Sequence, residues 1–493
     1  MQYPLATILA AFAGPALPQA EPAAEQEAGE ESTEPERGLR VREAGALDGY
    51  TLISPLLSDK TYLLDMDGEI AHEWQTEYAP CSTYLLESGN LLRGARQDDN
   101  PRFHGGGIGG RILEYDWDGA VVWEFELANE YQTYHHDFAL LPNGNVLVIA
   151  WEYLPPEEAL ALGRDPAVVG GEGLWTDAVL EIRPTRPIGG EVVWEWHAWD
   201  HMIQDFDPEG ANHDSIPDHP ELIDINADHR DQPPKTKEEL ERIAEIERQM
   251  RATGYAGGED NDDEDETADA QRGQGADWLH TNGIDYEPDH DLIVLSTPRM
   301  NEVWVIDHST TTDEAAGHSG GRFGHGGDLL YRWGNPRTYG AGTDADRQLG
   351  YQHNPTWLRG DTPGELRLLV FNNGSTPDDS SVDELLLPFD PKVGFQREPG
   401  AAFGPSEPAW SYSDPGNFQS SFISGAQRLP NGNTLICSGA PGRVFEVTPE
   451  GRIVWDYLNP HGGERPGTSQ SGNAPPTSLF RATRIPADHP GLR

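Results

Sequence analysis

A strand pair that closes on tryptophan recurs six times in this chain, and no other feature limits its possible folds so sharply. The copies are TYLLDMDGEIAHEW ending at Trp74, RILEYDWDGAVVWEF around Trp123, and AVLEIRPTRPIGGEVVWEW around Trp194. They continue as EVWVIDHS…GGDLLYRW ending at Trp333, DELLLPFD…EPAWSY around Trp410, and RVFEVTPEGRIVWDY around Trp455. Each alternates apolar and polar residues, turns, and alternates again, the pattern of a β-hairpin. Five copies are preceded by a second hairpin: TYLLESGNLLRGA, DFALLPNGNVLVIA, GIDYEPDHDLIVLST, PTWLRGDTPGELRLLVFNN and GAQRLPNGNTLICSG. Tight turns of the Asn-Gly type join most of their strands. Four strands per unit, repeating roughly every 45–50 residues, is the period of a propeller blade.

The sixth first hairpin is divided between the chain ends. SLFRATRIPADHPG (478–491) is an inner strand without its return, and GYTLISPLL (49–57) is a return strand without its partner. Joined, they complete a blade and leave no free edge in the ring. The sequence therefore predicts an all-β, six-bladed β-propeller over 45–493, closed by its N- and C-terminal strands.

Residues 200–275 fit no blade and read as one long acidic insertion, with a helix expected at TKEELERIAEIERQM and a solvated run at GGEDNDDEDETADA. Such an insertion could cover one end of the ring. Residues 5–16, LATILAAFAGPA, are apolar but too short to span a bilayer. They predict a signal peptide over 1–20, hence export to the periplasm or beyond, followed by an acidic disordered linker over 21–44. No other segment predicts membrane insertion. The formal net charge of −50, from 34 basic and 84 acidic side chains, excludes nucleic acid and anionic membranes as natural partners. Cys81 and Cys437 sit beside separate strand-like runs and are expected as buried free thiols.

The first strand of each blade lies nearest the ring axis, so the residues that open it line the channel mouth. Blade two opens with His135 and His136, blade three with DWLHTNG (His280, Asn282), and blade four with YQHNPTW (His353). Blade five opens with FQSSFISG (Ser420, Ser421, Ser424) and blade six with TSLFRAT (Arg481). Three blades thus direct a histidine to one place where a core would take apolar residues. Arg299, in the turn after the second strand of blade three, returns to the same end of the ring.

The ordered set HHDFALLPNGN, DWLHTNGIDY with STPRMNEVWVID, and GYQHNPTW with LLVFNNG resembles the bacterial arylsulfate sulfotransferases. That resemblance implies a six-bladed, exported propeller that moves a sulfuryl group from an aryl sulfate to a phenol without a nucleotide donor or a cofactor. It implies that His353 is transiently sulfated, with His136, His280, Asn282 and Arg299 assisting. Blade strands begin near residue 49, which leaves out the β-sandwich through which the best-known members dimerise.

Sulfuryl transfer resembles phosphoryl transfer, with a loose transition state whose charge spreads over peripheral oxygens. Neutral His353 would attack sulfur, Arg299 and Asn282 would hold sulfate oxygens, and His280 or His136 would exchange the phenolic proton. On this reading His136 faces the channel and His135 a neighbouring blade, with His135, Ser421 and Arg481 as further substrate contacts. Two other readings share the residues. Three histidines with Asp137 could hold a metal ion for a lyase or hydrolase, although a guanidinium beside a dication argues against it. A propeller that only binds ligand or protein is the other. The glycine-rich HGGGIGGRI (104–112) joins two strands and is not a phosphate loop.

Overall fold

A computed structural model describes residues 36–230, 236–255, 276–360, 362–374, 379–463 and 477–492. Arg37–Arg493 form one compact unit of six antiparallel sheets with four blade strands each. From axis to rim, blade one holds Pro80–Leu85, Leu91–Arg96, Gly110–Tyr115 and Val121–Glu126. Blade two holds Gln132–Leu140, Val146–Leu154, Leu174–Pro184 and Gly190–His197, and blade three Gly283–Glu287, Leu292–Thr297, Glu302–Asp307 and Tyr331–Trp333. Blade four holds His353–Arg359, Leu366–Asn372, Ser381–Leu386 and Trp410–Tyr412, and blade five Gly425–Arg428, Thr434–Ser438, Arg443–Val447 and Ile453–Leu458. Blade six is the joined one: Leu479–Pro486 pairs antiparallel with Gly49–Pro55 in the register Tyr50↔Ile485, followed by Lys60–Leu64 and Ile70–Gln75.

The recurring tryptophan has a common task. Trp74 Nε1 donates to Asp116 O (3.1 Å), Trp123 to Gly189 O (2.9 Å) and Trp194 to Thr310 Oγ1 (3.1 Å). Trp333 donates to Pro405 O (2.8 Å), Trp410 to Pro449 O (2.8 Å) and Trp455 to Met66 O (3.1 Å). Each bond runs from the rim strand of one blade to a turn or loop of the next, and the sixth returns to the first. Between each pair of neighbouring blades lies one apolar cluster, such as Leu92, Ile112, Phe138 and Val148 between blades one and two. Both faces of a blade are therefore buried, which is why its middle strands read as nearly continuous Val, Ile and Leu.

Within the expected linker 21–44, the residues from Gly38 to Arg42 form a strand. Gly38–Arg42 pairs antiparallel with Ile453–Leu458 and adds a fifth strand to blade five. The alternation in GLRVR lets Leu39 pack on the cluster between blades five and six, and the new strand covers an edge that would otherwise be open. The signal peptide 1–20, linker residues up to 35 and the acidic run 257–270 lie outside the described residues. Within the insertion, Met202–Ile203 pairs in parallel with Ile223–Asp224. Lys237–Ala252 is a helix started by a capping box between Thr236 and Glu239. None of its residues is buried, but Ile246 and Met250 touch Leu56, Phe422, Ile423 and Phe480 at the ring. Among the described residues no helix is long and apolar enough to cross a membrane.

Candidate active site

The inner strands are irregular where they open. Pairing of Gln132–Leu140 with Val146–Leu154 shifts register between Val148 and Ala150, and that of His353–Arg359 with Leu366–Asn372 shifts between His353 and Thr356. His136, His280, Asn354 and Ile423, from blades two to five, take φ of 54°, 56°, 50° and 51°. Left-handed backbone at a non-glycine residue costs on the order of 1 kcal/mol or more. It recurs where the inner strands of four successive blades open, at His136 and His280 themselves and at the residue after His353.

His353 opens blade four at 5 % exposure. Its Nδ1 lies 2.8 Å from Asn373 Oδ1 and 3.0 Å from Tyr351 O. Asn373 is oriented by its own amide, which donates to Ser420 O and Ile423 O at 2.8 and 2.7 Å. Its oxygen must then face the imidazole, so His353 Nδ1 carries the proton and Nε2 keeps its lone pair. Burial pushes the pKa of His353 down to about 3, the charges of His280 and Arg481 acting in the same direction and the Asn373 bond against it. A neutral imidazole with a bare Nε2 is the form a nucleophile needs.

His136 is fully buried, with its ring 4.5 Å from that of His280, centroid to centroid, and edge-on to it. Its Nδ1 meets His135 Nδ1 at 2.7 Å, and His135 Nε2 lies 3.2 Å from Asp177 Oδ1. The His135 Nε2–Asp177 Oδ1 approach is a charge contact without a hydrogen bond. A proton on Nε2 is favoured beside that carboxylate, and His135 Nδ1 then accepts from His136 Nδ1–H. That leaves His136 Nε2 as the acceptor of the Tyr255 hydroxyl, 2.8 Å away. Burial, then the neighbouring His280, His135 and His353, hold the pKa of His136 well below the ordinary imidazole value. The chain Asp177–His135–His136 thus ends in a lone pair ready to accept a phenolic proton.

His280 is built differently. Its Nδ1 is 2.5 Å from Asp277 Oδ2, and Arg299 Nη2 reaches the same oxygen at 3.3 Å. Asp277 is buried, which by itself would raise its pKa, yet His280 and Arg299 outweigh this and hold it well below the usual carboxylate range. An ionised carboxylate behind Nδ1 leaves His280 Nε2 for a ligand. Arg299 is 37 % exposed along its side chain, so part of its guanidinium is also open to an anion.

The structure sets the His136 and His280 rings in contact, joins His280 and Arg299 through Asp277, opens the next blade with His353, and gives the four other predicted residues partners within the protein. His135 does not face a neighbouring blade: it stacks on Trp151 of its own blade (4.3 Å, 9°), fully buried behind His136, because the bulge turns both rings inward. Asn282 is fully buried and donates to Gln352 O at 2.9 Å, anchoring the chain just before His353 instead of presenting its amide to sulfate. Ser421 donates to Gln249 Oε1 of the insertion helix at 3.2 Å. Arg481 is neutralised by Asp137, 2.8 Å away, and also bonds Tyr84. The same pairing commits the carboxylate that a metal reading needed, since Asp137 Oδ1 accepts from Tyr84 at 2.7 Å.

Asp277, Asn373, Asp177 and Tyr255 were not singled out from sequence. Asp277 stands three residues before His280, and Asn373 lies in the FNNG that ends a strand, so both had a local signal. Glycines of HGGGIGGRI form the wall over the site: a Cβ on Gly107 would fall 2.0 Å from the His136 ring, and His136 N donates to Gly107 O at 2.7 Å. That loop needs glycine because a backbone lies directly on an imidazole.

Fold and site together define a six-bladed propeller with a cluster of buried histidines where its inner strands open. The chain belongs to the arylsulfotransferase (ASST) family, whose model matches residues 48–386. Comparison with curated proteins finds no match. Among solved structures, the chain is similar to a Bacteroides caccae protein of unknown function, at 13 % identity over 88 % of this chain and 98 % of that one, with a TM-score of 0.42. It is also similar to a catalytically inactive virginiamycin B lyase from Staphylococcus aureus, at 9 % identity over 86 % and 89 %, with a TM-score of 0.33. Neither likeness carries information on function.

Proposed function

We propose that this arylsulfotransferase moves a sulfuryl group from an aryl sulfate to a phenol through a sulfohistidine on His353, with no nucleotide donor. The observation that carries the reading is His353 itself: neutral, with Nδ1–H fixed by Asn373 and Nε2 bare, in one cluster with an acid and a base. In the first half-reaction His353 Nε2 attacks sulfur, the S–O bond to the aryl group breaks, and the departing oxygen takes a proton from His280. Arg299 balances charge on the sulfuryl oxygens. In the second, His136 Nε2 takes the proton of the incoming phenol, the phenolic oxygen attacks sulfur, the N–S bond breaks, and the proton passes from His136 to His280, whose ring is 4.5 Å away, resetting both groups. Separating proton donor and acceptor onto two histidines follows from their surroundings, a carboxylate behind His280 and a neutral histidine behind His136. The apolar residues 5–16 support placing the protein outside the cytoplasm.

The test is turnover of 4-nitrophenyl sulfate with and without added phenol, beside His353→Ala. Phenol-dependent release of nitrophenol that vanishes in the variant is the expected result. Release independent of phenol would make the protein a hydrolase, and no release from folded protein would favour a binding propeller.

A further inference from the structure

Tyr255 enters the site from the insertion, 119 positions from the histidine it touches. It follows the helix Lys237–Ala252 and is 3 % exposed. Its hydroxyl is 2.8 Å from His136 Nε2, the lone pair that the transfer reaction assigns to a phenol. A socket is built around its ring. Phe422 lies 5.6 Å away between centroids, and Phe480, Leu56 and Ile423 complete an apolar wall. Across the ring, a Cβ on Gly106 would fall 2.4 Å from Tyr255 Cε1. The chain reaches the socket through Gly254, at φ +72°, where a Cβ would strike Leu57, and Arg96 Nη1 holds Gly254 O at 2.6 Å. A side chain with phenol chemistry therefore fills a ring-shaped site and donates its O–H to the candidate base.

The geometry points to this socket as the phenol-binding site, with Tyr255 as a tethered phenol that a free phenol must displace. The inference rests on the reading of His136 as the base toward phenols. Displacement is feasible because the segment is held lightly. The helix buries none of its residues and docks through the half-buried Ile246 and Met250 and the Gln249–Ser421 bond, contacts that loosen when Tyr255 leaves. A tethered group competes at an effective concentration in the millimolar range, so removing it should tighten phenol binding by about tenfold or more. Gly106 supplies an independent check, because a methyl there would narrow the socket for any occupant.

The test measures binding of 4-nitrophenol by calorimetry to the full chain without a sulfate donor. Tyr255→Ala should bind about tenfold more tightly than the parent, with Tyr255→Phe between them because its ring remains without the hydroxyl. Gly106→Ala in the Tyr255→Ala background should lose about tenfold again. Hydrogen exchange across 237–252 should rise when 4-nitrophenol saturates the parent protein. Equal or weaker binding by Tyr255→Ala, or a neutral Gly106→Ala, would overturn the inference. Turnover plays no part in these readouts. Absent transfer with the affinity order intact would therefore overturn the sulfotransferase reading and leave the phenol site standing.

Discussion

Replacing Asp277 by asparagine tests whether His280 is the acid. One oxygen of Asp277 meets His280 Nδ1 at 2.5 Å and Arg299 Nη2 at 3.3 Å in a buried setting. The substitution keeps size and shape but exchanges a charge-assisted bond for a neutral one, a difference of about 1–2 kcal/mol. At about 1.4 kcal/mol per factor of ten, an imidazolium deprived of that support loses roughly five- to thirtyfold as a proton donor. The loss should depend on the donor. A 4-nitrophenolate is a weak base and departs without much help, so its kcat/KM should fall only about two- to threefold. An aryl sulfate with an unsubstituted phenol needs the proton and should show the full loss. KM for either donor should not rise, because Arg299 is released from Asp277. Asp277 is held below the ordinary carboxylate range, so it stays ionised across neutral pH and adds no limb to the parent's pH–rate profile. The assay is kcat/KM for both donors at saturating acceptor, parent beside variant. Equal losses on the two donors would refute the assignment of His280 as acid.

Three further expectations rest on separate features. His353 has a folded pKa of about 3 against an ordinary 6.5, so between these values the unfolded chain binds a proton that the fold excludes. Stability should therefore drop as pH falls below about 6.5, by up to about 1.4 kcal/mol per unit from this group, and His353→Gln should flatten that slope in urea unfolding at pH 7, 5.5 and 4.5. An unchanged slope would show that His353 is not buried neutral. The net charge of −50 repels an anionic donor, so kcat/KM for an aryl sulfate should rise on moderate addition of salt, and a steady fall would count against it. Glu302 and Arg332 form a fully buried ion pair, with Nη2 to Oε2 at 2.5 Å. Glu302→Ala should leave the guanidinium uncompensated and destabilise by about 3–5 kcal/mol, read as a lower urea midpoint.

The sequence determined the ring. A period of two within strands and a repeated Trp per blade suffice, because each blade must bury both faces against its neighbours and each Trp must reach the next blade's turn or loop. The divided sixth blade was legible for the same reason, as complementary half-patterns with no other partner. His136, His280 and His353 could be found because equivalent repeat positions share one level of the ring, and Arg299 because antiparallel strands return to it. Repeats say nothing about what interrupts them. Strict alternation sends His135 away from His136, whereas a bulge and left-handed backbone bring the two rings together. The proton assignments depend on Asn373 at the end of blade four's second strand, Asp177 on blade two's third strand and Asp277 three residues before His280, and the orientation of Asn373 needs the next blade, whose Ser420 O and Ile423 O take its amide. Tyr255 belongs to an insertion without periodicity, and only the folded chain brings its hydroxyl to His136. The sequence could place histidines at the channel mouth, but only tertiary packing decided which nitrogen holds a proton and which ring fills the site.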